Sequence, residues 1–149
     1  MSRKLLSRYQ ELSKEFIDLA GSLSADELEQ PGKNGEWSRA FVIHHMADAD
    51  VHFSARYWHV LTLDRPALAN FDEELYPDRL KYALRNSADS LAAVTGLFKV
   101  NSDVLSLSSD SDWNRVGIHE SYGELTLSQI LGYAVEHRES HLGQLRDFA

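Results

Sequence analysis

The chain has 149 residues, 43% of them hydrophobic, which is enough to bury a core of its own and too few for two ordinary domains. Twenty-three acidic residues against 15 basic ones leave a formal net charge of −8, which disfavours a nucleic-acid backbone or an anionic membrane surface as partner. Cysteine is absent, so disulfides and thiolate-held zinc or iron–sulfur sites are excluded, and a tightly bound metal would rest on histidine nitrogens and carboxylate oxygens. Charges interrupt the N-terminal stretch every few residues, and no apolar run reaches the ~18 residues of a membrane span. We therefore expect one domain over residues 1–149, located in the cytoplasm.

Leu5, Tyr9, Leu12, Phe16, Leu19 and Leu23 follow one another at spacings of three and four, which predicts a first amphipathic helix. Ser24 with Glu27 fits a capping box for a short turn, and the turn formers from Gln30 to Gly35 lead into Trp37. From Ser38, a suitable N-cap, to about Leu63 there is no Gly or Pro, and Asp64-Arg65-Pro66 supplies the stop of a second helix. After a longer connection, Pro77-Asp78 opens a third helix whose stripe reads Leu80, Leu84, Leu91, Val94 and Phe98, continuing to about Leu105. Serines and aspartates break that pattern, and Gly117 and Gly123 bracket a loop region with Trp113 and His119 nearby. Thr126 with Gln129 then caps a fourth helix with an inner stripe of Ile130, Ala134, His137, His141, Gln144 and Phe148. Four helices without an alternating strand pattern or repeat predict an all-α four-helix bundle, whose longer second and third connections permit a crossover.

His137 and His141 stand four apart, so they share a helix face and can chelate one ion, and their apolar neighbours turn that face inward. A zincin needs Glu directly after the first His, where this chain has Arg138; Glu139 lies about 200° around the helix from His137. The di-iron pattern also fails, since no histidine of the second or fourth helix has Glu three residues before it. A third ligand must come from elsewhere, and the second helix offers His44, His45, His52 and His59. His45, His52 and His59 rise ~10 Å at each step, so only one can reach a given ion, and periodicity does not choose among them.

Trp37-Ser38, His45-Met46-Ala47-Asp48, Gly123-Glu124-Leu125-Thr126-Leu127 and His137-x-x-x-His141-x-x-Gln144, in this order over nearly the whole chain, resemble the DinB-like, YfiT-type metal-binding family. The resemblance implies a four-helix bundle with crossover connectivity and a metal held by His45, His137 and His141. Characterised relatives include S-transferases and isomerases that use bacillithiol, mycothiol or glutathione, while others are named metal-dependent hydrolases. The implied cofactor is a divalent metal, with zinc, nickel and iron all suited to three histidines, together with a low-molecular-weight thiol cosubstrate. The leading expectation is transfer of that thiol to an electrophilic small molecule at the open metal position. The alternatives are a hydrolase using metal-bound water, and a non-catalytic metal-binding module that pairs as a homodimer through an exposed helix face.

Around this site, Asp48 is one turn from His45 and has two readings, acceptor for a ligand imidazole or solvated surface aspartate. Gln144 can support His141 or serve helix packing, and His119 is a candidate for the mouth of the site. Arg56 and Arg138 are the candidates for gripping a substrate carboxylate, against the ordinary role of helix arginines in surface salt bridges. His52 and His59 read as ordinary helix residues, with His52 able to border the cavity. No catalytic group apart from the metal is assigned.

Overall fold

The structure, a computed structural model, describes residues 2–147, so Phe148 of the expected inner stripe lies outside the described residues. Four long helices dominate: α1 (Ser2–Ser22), α3 (Arg39–Thr62), α5 (Ser87–Ser106) and α6 (Leu127–Arg146). A short α2 (Ala25–Glu29) follows α1, and a one-turn α4 (Tyr76–Arg79) precedes α5. Three of the expected caps form. Ser24 and Glu27 complete one capping box, Thr126 and Gln129 another, and Ser38 Oγ accepts from Phe41 N–H at 3.3 Å at the start of α3.

The apolar stripes meet in one core. Tyr9, Leu12 and Phe16 of α1, Ile43, Met46 and Tyr57 of α3, Val94 and Leu105 of α5, and Leu127, Ile130 and Leu131 of α6 are all at most 2% exposed. Around it α1 packs on α5 and α6, and α3 packs on the same two helices. The consecutive long helices α1 and α3 thus occupy diagonal corners, as do α5 and α6, so the connectivity is the expected crossover and not a simple up-and-down order. Helices α3 and α6 run antiparallel, with Arg39 Nε donating to Leu145 O at 3.0 Å where one starts and the other ends.

Two local expectations are corrected. The third helix does not begin at Pro77: α4 stops at Arg79, Lys81 takes a left-handed φ of 54°, and α5 starts only after Asn86 caps it through Asp89 N–H. Leu80 and Leu84 are consequently exposed and not part of the bundle stripe. The loop region before α6 holds a small sheet in which β1 (Ala67–Leu68) runs parallel to β2 (Val116–His119), and β2 pairs antiparallel with β3 (Gly123–Thr126). Strands this short carry too little alternation to be visible in sequence. Gly117 is required there, because a Cβ at that position would sit 2.8 Å from the Leu68 side chain.

Candidate metal centre and cleft

The antiparallel packing of α3 on α6 brings the early part of one helix level with the later part of the other. His45 is therefore the member of the seven-residue series that reaches His137 and His141. His45 Nε2 lies 2.8 Å from His137 Nε2, and His141 Nε2 lies 3.1 Å from that same atom. Glu73, in a 3₁₀ turn (Glu73–Leu75) before α4, joins them with Oε2 3.3 Å from His45 Nε2. One ligand atom from each of the four residues lies within 4.8 Å of the others.

Three ring nitrogens this close repel one another if each presents a lone pair, so protons or a cation must lie between them. The charged, doubly protonated rings are disfavoured. Burial pushes His45 down to about 4 and His137 down to about 2, each helped by the neighbouring His141, and burial lowers His141 as well. Gln144 Oε1 accepts from His141 Nδ1–H at 2.6 Å, which fixes the tautomer that turns a lone pair on Nε2 toward the cluster. For bonds of 2.0–2.1 Å, tetrahedral zinc donors stand about 3.3 Å apart, near the 2.8 and 3.1 Å that separate the imidazole nitrogens. The donor set fits a divalent ion.

His137 and His141 open on a cleft of about 600 Å³, with Phe53, Leu125 and Ile130 as apolar lining and Tyr122 and Tyr133 stacked at 5.6 Å. His119, one candidate for the mouth, lines this cleft, and its Nδ1 accepts from Ser121 and Tyr122 N–H at 3.1 and 3.2 Å, leaving the proton on Nε2. Trp37 packs its ring 5.1 Å from that of His45.

Other candidates are drawn elsewhere. Asp48 is neither solvated nor bonded to His45; it accepts from Tyr82 Oη at 2.7 Å and from Arg85 Nη1 at 2.8 Å. His44 points away from the cluster and shares a hydrogen bond with Ser90 Oγ at 2.8 Å, the serine itself accepting from Arg85. His52 bonds Tyr76 Oη at 2.6 Å and stacks on Phe71, while His59 is exposed. Arg138 faces neither substrate nor solvent: it is 1% exposed and donates to both oxygens of Asp50 at 2.8 and 2.9 Å, its guanidinium 5.5 Å from the Tyr9 ring. Sequence reasoning missed Glu73. Its only signal was the acidic run Asp72-Glu73-Glu74 in a connection with no periodicity to orient it.

A crossover four-helix bundle with a buried histidine cluster opening on a cleft defines a class of helical-bundle proteins whose histidines could hold a metal ion. The chain belongs to the DinB superfamily, whose family model matches residues 8–145, and within it to the YfiT type. YfiT of Bacillus subtilis, whose name proposes a metal-dependent hydrolase, is 25% identical over 128 residues, covering 85% of this chain and 72% of that one. OB0782 of Oceanobacillus iheyensis, similarly named, is 25% identical over 83% of this chain and 71% of its own. The solved structure of YfiT, described as having an unusual four-helix bundle topology, superposes with a TM-score of 0.87 at 22% identity, over 99% of this chain and 85% of that one. Among the described residues, no helix is long and apolar enough to cross a membrane.

Proposed function

We propose that His45, His137 and His141 hold a divalent metal with Glu73 beside it, and that the chain is a metal-dependent hydrolase of a small molecule bound in the cleft. The observation carrying this reading is Glu73, a half-exposed carboxylate 3.3 Å from His45 Nε2, which supplies the base that the histidine motifs lack. His45, His137 and His141 as neutral imidazoles would hold a divalent cation, which when bound would lower the pKa of a nucleophile beside it. Glu73 is near enough to take the proton released by that nucleophile, and its exposed edge passes it to solvent. Gln144 keeps His141 in its ligating tautomer, and the Nε2–H of His119 serves as a donor to an anionic oxygen of the substrate.

Thiol transfer is the second reading, favoured by the size of the cleft. About 600 Å³ has room for two small reactants, and a thiol needs no separate base once a cation stabilises its thiolate. Metal analysis of the wild type and of His45→Ala, His137→Ala and His141→Ala tests the ligand set, and unchanged content in all three would sink it. Glu73→Gln is expected to keep its metal while losing about 10²–10⁴-fold in turnover of esters and amides. Consumption of an electrophile that requires added thiol and survives Glu73→Gln would favour the transferase, and no turnover with either panel would leave a metal-binding module.

A further inference from the structure

The cleft is lined by three ionised side chains, Glu73, Glu136 and Arg56, so Arg56 is its one cationic wall. It projects from the later part of α3, three turns beyond His45, with its Cζ 5.4 Å from the Phe53 ring and 5.8 Å from the Phe71 ring. Phe53 connects the two ends of the cleft, since its ring is also 5.9 Å from that of His137.

Among the described residues no carboxylate lies within ion-pair distance of Arg56. Its one hydrogen bond runs from Nη2 to Ala69 O at 2.8 Å, and Nε is buried without a partner. Arg65 takes Glu124 and Arg8 takes Glu139 as acid partners, and Arg115, which also has no ion pair among the described residues, spends two of its nitrogens on carbonyl oxygens, whereas Arg56 spends only one. Burial holds Arg56 below its ordinary pKa, the direction expected of a cation left without an anion. Among the described residues no carboxylate pairs with this charge, while its planar fork suits a carboxylate held by two N–H groups.

We infer that Arg56 is the specificity-determining residue of the cleft, selecting small molecules that carry a carboxylate at the end remote from the group acted on at the histidines. The inference rests on the metal reading of those histidines. The acids Glu73 and Glu136 repel the same carboxylate, so an anionic substrate enters in one orientation, tail on Arg56 and reactive group toward the metal. The contact from Nη2 to Ala69 holds the guanidinium against rotation and leaves its other edge for the ligand.

The test uses hydroxamates, which bind an open metal position whether the enzyme hydrolyses or transfers. Metal content is measured first. Adipic and suberic acid monohydroxamates are then titrated against metal-loaded protein beside hexanoic and octanoic hydroxamates of matching length. At one of the two lengths the acid is expected to bind at least about tenfold more tightly than its neutral partner. Arg56→Met brings that ratio to about one, and Arg56→Lys, which keeps the charge without the fork, gives an intermediate value. Equal binding of acid and neutral compound by the wild type, or a preference that persists in Arg56→Met, overturns the inference alone. Failure of every hydroxamate to bind metal-loaded protein overturns it together with the open-site reading, and absence of metal overturns the ligand set.

Discussion

At residue scale the most consequential side chain outside the cleft is Arg138, which follows a candidate ligand in sequence yet turns into the core. Among the described residues its charge is balanced by Asp50 alone, with Nε and Nη1 buried and without hydrogen-bond partners. Removing one member of such a pair leaves an uncompensated buried charge. Arg138→Met is therefore expected to cost about 3–5 kcal/mol of stability, and Arg138→Met with Asp50→Leu to recover most of it, as read from urea unfolding of the metal-free protein. At the site, Gln144 acts through His141. Gln144→Leu is expected to weaken metal affinity about 10–100-fold in competition with a chelator, with little change in secondary structure by circular dichroism.

At element scale, the start of α6 is where the sheet is tied to the bundle. Thr126 ends β3 and caps α6, Leu127 N–H donates to Arg115 O, and Arg115 in turn donates to Val60 O and Leu63 O at the end of α3. Thr126→Ala is expected to lower stability by about 1 kcal/mol in thermal or urea unfolding. Gly117→Ala places a methyl group into Leu68 and is expected to cost about 1–3 kcal/mol, partly relieved by Leu68→Ala, where the same β1–β2 approach no longer clashes. The break between α4 and α5 belongs to this scale too. A periodic leucine pattern continued across residues 80–84, but the left-handed Lys81 redirects the chain and the pattern is not a helix face.

At the scale of the whole molecule, buried neutral histidines set the response to acid. Burial pushes His44 from 6.5 down to about 4, so between those values the unfolded chain takes up a proton that the folded one refuses. Its contribution to stability is complete above pH 6.5 and declines as the pH falls toward 4. In the presence of a chelator, lowering the pH from 7 to 5 is expected to reduce unfolding free energy, and His44→Gln to remove about 1–2 kcal/mol of that loss. A metal bound only by the folded state acts oppositely. At 100-fold excess over its Kd it is expected to add about 2.7 kcal/mol and raise Tm by about 5–10 °C by calorimetry, reversed by a chelator.

Much of the bundle was legible in sequence because helical periodicity is a local property. Stripes such as Tyr9-Leu12-Phe16, the capping pairs at Ser24 and Thr126, and the four-residue spacing of His137 and His141 are each contained within one or two turns. The lack of cysteine and the replacement of the zincin glutamate by Arg138 limited the chemistry equally early. Which histidine of α3 meets that pair was not a local matter. Family motifs selected His45, and only the antiparallel register of α3 on α6 explains why His52 and His59 lie at other levels of the bundle. Tertiary structure alone brought in Glu73, from a turn without periodicity, sent Arg138 to Asp50 and left Arg56 without an acid, because charge pairing depends on distances between elements far apart in the chain.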